Sequence, residues 1–342
     1  MRRTVVFALA AVVLLLVLLG GYSAFWLITA GRIRDGVVQW AQSAQARKFE
    51  LTWRELRVGG FPFRFLVVID SARLRDNALR PAPELRIPAL SAAARPWRLA
   101  VWQLAARDGF AADFAAAHGG PDLKFAARTA HGTVMLDADG AAKLWLSLEA
   151  PGGEAGARLR SDYGNAWILL PSKAPRTHTD PSLGLALDLH RVAAPLAPGG
   201  LGGDIDELAF AVTFKGTLPD GDIVPAVAAW RDAGGTIELD NLHLEWGGLA
   251  ATATGTIALD EDLQPIGGFS GAIQGYDRVL AALVAAGNLR ARDAGLARLA
   301  LALLAKAGPN GRPQIATSFT IEHGEMFLGP AKLGRAPRIS WH

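Results

Sequence analysis

The sequence predicts an α+β, β-rich protein. The expected architecture is an N-terminal transmembrane helix followed by large antiparallel, curved β-sheets with a few peripheral helices. Three observations lead there. An uncharged stretch runs from Thr4 to Gly31. From Phe49 onward, apolar residues alternate with polar ones in runs cut by Gly, Pro and Asp. Helical spacing returns only in isolated segments rather than between successive strands, which argues against alternating β-α units.

The uncharged stretch follows Arg2 and Arg3, and its centre, Val5 to Leu19, is nearly all Val, Leu and Ala. Its apolar part reaches roughly 35–40 Å at 1.5 Å per residue, enough to cross a hydrocarbon core of about 30 Å with tilt. Tyr22, Phe25 and Trp26 stand near its far end, where amphipathic rings favour the membrane interface. A cleaved signal peptide is the competing reading, with Ile28-Thr29-Ala30 as the cleavage site. A signal h-region is only about 7–15 residues long, and this run exceeds it. We therefore expect an uncleaved signal-anchor over residues 1–31, contacting the membrane through residues 5–28.

Ile33, Val37, Trp40, Ala41 and Ala44 then recur at helical spacing and predict a short amphipathic helix continuing from the anchor. At Phe49 the period changes to two. Phe49 to Val58 reads as a strand, Gly59-Gly60-Phe61-Pro62 as a turn, and Phe63 to Leu74 as the returning strand. Further strands are expected at Glu84–Ala94, Arg98–Arg107, Leu123–Ala130, Gly132–Asp137, Ala142–Leu148, Ala157–Ser161 and Ala166–Leu170. These complete a first β-rich half over residues 32–172.

Residues 173–203 are rich in Pro and Gly and read as a connection, with a short helix over Leu183–Val192. The second β-rich half, residues 204–342, resumes from Glu207. Its expected strands are Thr236–Trp246, Leu249–Leu259 and Gly268–Gln274. A helix is expected at Ile223–Ala233 and a helical pair at Tyr276–Ala286 and Arg292–Ala305. Gln314–Ile321 and Glu325–Leu328 close the chain as a hairpin around His323-Gly324.

The composition excludes several functions. Thirty-five Lys and Arg face 32 Asp and Glu, scattered along the chain, for a net charge of +3. No basic run tracks a phosphate backbone, so nucleic acid is not an expected partner. There is no cysteine, which removes disulfides, thiolate catalysis and cysteine metal sites. The histidines (His118, His131, His178, His190, His243, His323 and His342) show no metal-ligand spacing, and His243, alternating with Asn241 and Glu245, is expected to face solvent.

Gly268-Phe269-Ser270-Gly271-Ala272 lacks the last glycine of a nucleophile elbow and reads as strand. Gly199-Gly200-Leu201-Gly202-Gly203 lacks the Lys and Ser/Thr of a phosphate-binding loop and reads as an ordinary loop. Asp137-Ala138-Asp139-Gly140 and Asp260-Glu261-Asp262 lack the ligand spacing of a calcium loop and read as turns. No catalytic residue, cofactor or metal site is expected.

The ten tryptophans are the remaining signal. They serve either as core and sheet-edge packing or as an aromatic-lined concave surface for lipid tails or glycan. On the second reading the candidate apolar groove comprises Trp53, Phe63, Phe65, Trp97, Trp102, Trp145 and Trp246.

Several phrases in order carry a family resemblance. They are Gly59-Gly60-Phe61-Pro62-Phe63-Arg64-Phe65, Leu244-Glu245-Trp246-Gly247, Gly255-Thr256-Ile257-Ala258-Leu259-Asp260, Pro265-Ile266-Gly267-Gly268-Phe269 and Gly324-Glu325-Met326-Phe327-Leu328-Gly329-Pro330. With the anchor, they resemble a family of proteobacterial envelope proteins, domain of unknown function 2125, over almost the whole chain. No single phrase is specific; their order and spacing carry the match. The sheet-and-anchor plan also resembles, by architecture, the wider group of AsmA-like envelope proteins, whose curved sheets enclose an apolar groove.

The resemblance implies export across the inner membrane. The arginine count alone would keep the body in the cytoplasm, but long domains translocate largely regardless of charge. The expected location is thus a single-pass bacterial inner-membrane protein with its body in the periplasm. The expected function is non-catalytic binding of a lipid or another amphipathic molecule in a β-sheet groove. The alternatives are an envelope scaffold or assembly factor binding another protein and, behind it, a glycan or lipid hydrolase.

Overall fold

The computed structural model describes every residue except 1, 47, 116–121, 155–157, 194–202, 286, 288, 309–310, 330, 337, 340 and 342. His118, His342 and all of the Gly199–Gly203 run but its last residue lie outside the described residues.

The expected anchor and the amphipathic segment after it form one helix, α1 (Arg2–Ala46), 45 residues long. At 1.5 Å per residue it extends about 68 Å, well beyond one bilayer core. Its two parts meet different surroundings. Large apolar side chains from Phe7 to Leu19 are exposed, whereas Trp26, Ala30 and Ala41 are buried. Trp26, Ala30 and Ile33 follow i, i+4, i+7 spacing and so share one face. That face packs on Phe65, Val58 and Trp102 of the sheet.

The strands are β1 (Phe49–Thr52), β2 (Glu55–Gly59), β3 (Phe65–Asp76), β4 (Leu79–Arg80), β5 (Glu84–Arg95), β6 (Arg98–Ala106) and β7 (Phe110–Phe114). Next come β8 (Leu123–Ala127), β9 (Thr129–Leu136), β10 (Ala142–Glu149), β11 (Gly152–Glu154), β12 (Arg158–Arg160), β13 (Tyr163–Leu170), β14 (Pro181–Ala193), β15 (Asp204–Lys215) and β16 (Gly221–Asp222). Helix α2 (Ile223–Asp232) precedes β17 (Thr236–Trp246), β18 (Leu249–Leu259) and β19 (Pro265–Gln274). The pair α3 (Tyr276–Ala285) and α4 (Ala291–Leu304) leads to β20 (Lys306–Ala307), β21 (Pro313–Glu322), β22 (Glu325–Leu328) and β23 (Ala331–Arg335).

All but β4 and β16 belong to one antiparallel sheet of 21 strands. Its order is close to a simple meander, because short turns make sequence neighbours pair. The registers show that β6 and β7 are one path interrupted at residues 107–109, since both pair with β5. β8 and β9, β10 and β11, and β12 and β13 are likewise interrupted paths.

These interruptions line up across neighbouring strands. The seam contains Ser71, Gly109, Ala150 and Arg191, all with positive φ. Between Ser71 and Gly109 it passes Pro88, which has no N–H to give a ladder. Bulges of this kind bend a strand and sharpen its twist. At the bend the backbone groups re-pair: Arg128 N donates to Glu149 O at 2.9 Å, and Ala150 N to Asp162 O at 2.8 Å. The buried Ser161 hydroxyl lies 2.9 Å from Tyr163 O and 2.6 Å from His190 O. Packed inside the bend are Ala106, Ala127, Ala130, Leu148 and Ala166, with Ile87, Phe110, Phe125, Leu146 and Leu187 around them.

A glycine lets the neighbouring strands β9 and β10 approach closely. A Cβ at Gly132 would fall 2.0 Å from Trp145 O. The curl is deep enough that the end of β3 reaches the far end of β15. There β4 pairs with β16, and Gly221 N donates to Ala78 O at 2.8 Å. Twist of roughly 20–25° per strand step accumulates to about half a turn over this distance, which brings opposite strand ends together.

The structure corrects one expected element outright: Leu183–Val192 is not a helix. Pro181–Ala193 is a strand paired with β13 on one side and β15 on the other. Ladder pairing therefore runs along both sides of this segment, with irregularities at Ser182 and Arg191. The expected single strand Phe49–Val58 is broken at Trp53-Arg54, so that β1 and β2 pair with different parts of β3. The helices after residue 220 and the closing hairpin lie where the spacing predicts them. His323 and Gly324 both adopt positive φ, as a two-residue hairpin turn requires.

Candidate functional site

The alternation of each strand sorts its side chains between the two faces of the sheet. Following the registers across the sheet gives one apolar face with little interruption. It runs from Phe65, Val67 and Ile69 through Leu90 and Ala92, Leu104 and Ala106 to Ala130 and Val134. It continues through Leu144, Leu146 and Leu148, then Ala166 and Ile168, then Leu185, Leu187 and Leu189. Beyond these lie Leu208, Phe210, Val212 and Phe214, then Ile237, Leu239, Leu242 and Leu244. Ile257, Phe269, Ile273, Ile315 and Phe319 carry the face to the last long strand.

Near the bend these side chains cover one another. On β15, β17 and β18 the apolar side chains are only half-buried; α2 and α3 reach these strands at their ends, where Trp230 donates to Lys215 O and Arg278 to Gly247 O. A sheet with a half-open apolar face is unusual in a soluble domain, where contiguous apolar patches are small.

The opposite face is mainly polar or small: His131, Ser147, Asn165 and Asp188 in one row, Thr252, Thr254 and Thr256 on β18, and Ser270 beside Ser318. It carries one apolar patch, where Trp145 stands directly opposite Trp167, near Met135 and Leu169, beside a groove of about 490 Å³.

The seven aromatic residues expected to line one groove are thus divided. Phe65 and Trp102 pack beneath α1 with Trp26 and Ala30, and Trp53 packs on the neighbouring Val67, Ile69 and Ala72. Trp246 lies on the same face, two residues beyond Leu244. Trp145 lies on the other face, because it alternates with Leu144 and Leu146. Phe63 and Trp97 sit at hairpin tips, 75% and 67% exposed.

The fold also gathers residues the sequence gave no reason to group. Pairing of β15 with β17 puts Glu207 directly opposite Glu245, with His243 two residues away on the same face. One ligand atom from each lies within 4.8 Å of the others. His243 Nε2 is 3.5 Å from Glu245 Oε1. A His and two carboxylates are a possible donor set for a divalent cation. Glu245 is exposed, so water competes there. On the next strand His190 stacks on Tyr163 at 4.5 Å and lies 3.0 Å from Asp188.

Perturbed carboxylates lie mainly where turns or the bend satisfy them. Glu149 is held below the usual carboxylate range first by the Arg128 guanidinium and then by the Thr129 hydroxyl. Asp180 is lowered by the backbone N–H groups of Arg176 and Thr177. Asp139 is lowered by the Ala141 N–H and lies in the expected turn. In the other expected turn, Asp262 N and Gln264 N donate to the Asp260 carboxylate.

The profile of a family described as an uncharacterized protein conserved in bacteria, domain of unknown function 2125, matches residues 26–337. The chain belongs to that family. The match begins at Trp26, the first residue of α1 buried against the sheet, and takes in the whole strand system. No curated protein and no solved structure matches the chain.

Proposed function

We propose that the curved sheet is a binding trough for a lipid or another amphipathic molecule, whose acyl part lies along the apolar face. The observation that carries this reading is the half-buried row Leu208, Phe210, Leu242 and Leu244 on adjacent strands. An acyl chain would supply the missing contacts and remove apolar area from water at roughly 25 cal/mol per Å². The reading is one of binding without chemistry. α1 is long and apolar enough to cross a membrane, and we place the body on the periplasmic side of the bacterial inner membrane. The likeness of plan to AsmA-like envelope proteins belongs to the same proposal.

Native mass spectrometry of the full-length protein, released from a mild detergent, tests it. Phospholipid should be retained in fixed stoichiometry. Phe210→Asp with Leu242→Asp, directly cross-strand partners, should abolish retention at an unchanged far-UV circular dichroism spectrum. A lipid-free mass under conditions that preserve the fold would overturn the reading.

A second reading, an assembly factor holding another envelope protein, is favoured by α4. Leu296, Leu299 and Leu303 are 62%, 64% and 81% exposed and share one face of this helix. A photocrosslinker at Leu303 should capture one discrete envelope protein in cells; the absence of any discrete adduct would remove this reading.

A further inference from the structure

We propose that the β2–β3 and β5–β6 hairpin tips form a foot that dips into the bilayer α1 crosses, at the end of the sheet where the apolar face begins. Four observations meet here. First, α1 sets the level. Counted from Thr4, the first residue after Arg2 and Arg3, about 20 residues of the helix span about 30 Å, the thickness of the hydrocarbon core. The membrane interface therefore falls near Tyr22–Trp26.

Second, the β2–β3 tip is fastened at that level. The Tyr22 hydroxyl donates to Pro62 O. Trp26 meets Phe61 edge-on at 5.4 Å and donates from its indole N–H to Arg64 O at 3.2 Å. The β5–β6 tip lies alongside, because Phe65 pairs with Ala94 and Arg95 with Arg98.

Third, both tips present large apolar side chains to their surroundings. Phe61, Phe63 and Trp97 are 52%, 75% and 67% exposed, and Leu99 is 38% exposed. Tips of water-soluble hairpins are ordinarily polar, whereas aromatic rings favour the headgroup level of a bilayer.

Fourth, the flanking charges have one sign. Arg64, Arg95 and Arg98 are exposed, and neither turn contains a carboxylate. Basic groups at this depth suit lipid phosphates.

The occupant is thus the phospholipid of the leaflet that α1 leaves on the body's side, with phosphates at the arginines and upper acyl carbons around Phe63 and Trp97. Directly behind the tips stand Phe65 and Trp102, the first residues of the apolar face. If the trough holds lipid, this is where lipid enters; that route rests on the function proposed above, while the docking itself does not.

The chain has no cysteine, so a single introduced thiol takes a label without ambiguity. Phe63→Cys, Trp97→Cys, Phe25→Cys and Trp145→Cys, each in the full-length protein, are labelled with an environment-sensitive fluorophore. They are reconstituted into phosphatidylethanolamine–phosphatidylglycerol nanodiscs, with and without lipid spin-labelled near the headgroup. The labels at Phe63 and Trp97 should be quenched about twofold or more, like the insertion control at Phe25, while the label at Trp145 stays bright. Labels at Phe63 and Trp97 as bright as that at Trp145, with Phe25 quenched, would overturn the docking. Lipid retention by native mass spectrometry, read on the same variants, separates this outcome from failure of the trough.

Discussion

The junction between α1 and the sheet hinges on Phe65, which should be among the costliest side chains to truncate. It is 0% exposed. It stacks on Trp26 with ring centroids 5.2 Å apart and planes inclined by 19°. Val58 and Trp102 pack against the same cluster. In Phe65→Ala the indole keeps its anchor on Arg64 O, so the helix cannot simply collapse into the void. A fully buried Phe truncated under such conditions costs about 3–5 kcal/mol.

The assay is urea unfolding of the full-length protein in mild detergent, followed by far-UV circular dichroism. Phe63→Ala is the internal control: the same deletion two residues away, at a 75% exposed site, should change stability by no more than about 0.5 kcal/mol. In a double-mutant cycle with Trp26→Ala, the stacked pair should show coupling of about 0.5–1.5 kcal/mol. A Phe65→Ala cost no larger than that of Phe63→Ala would refute the docking of α1 on the sheet. The same reasoning bears on truncation. Cutting before residue 32 removes Trp26 and Ala30, so such a fragment should be less stable than one beginning at Tyr22.

Two further outcomes follow from the geometry. Gly132→Ala places a methyl 2.0 Å from Trp145 O, forcing the inner strands apart, and should destabilise by about 1–3 kcal/mol in the same urea assay; an unchanged midpoint would mean the bend is looser than described. Asp180, ordinarily near 3.8, is lowered by two backbone N–H donors, so its stabilisation is complete above its unfolded value and is lost as pH falls through the lower folded value. The stability gap between the wild type and Asp180→Asn should therefore be constant at neutral pH and begin to shrink below about pH 4; a gap unchanged between about pH 7 and pH 2 would contradict this.

Short-range pattern determined a great deal by itself. The Val/Leu/Ala run after Arg3 predicts a helix of membrane-spanning length, because about 20 consecutive apolar residues at 1.5 Å each match a hydrocarbon core. Alternation fixes which side chains of each strand share a face, and short Gly- and Asp-containing turns make neighbours in sequence neighbours in the sheet. The apolar face was therefore legible strand by strand, in Leu144, Leu146 and Leu148 or in Phe210 and Val212. The amphipathic spacing after residue 32 likewise marked the helical continuation of the anchor.

Tertiary structure decided what no local period encodes. Leu183, Leu185, Leu187 and Leu189 fit both a strand, at every second residue, and a helix, at every fourth; pairing with β13 and β15 on either side chose the strand. The seven aromatic residues looked equivalent in sequence, but Trp145 fell on the opposite face and Phe63 and Trp97 at the tips, since face and height depend on register and turn position. Glu207, His243 and Glu245 meet only because β15 pairs with β17. The bend that turns an amphipathic meander into a trough arises from interruptions at Ser71, Gly109, Ala150 and Arg191 falling into one row. Each interruption is a local event in the chain, but their alignment is a property of the assembled registers, and it exists only once the strands have paired.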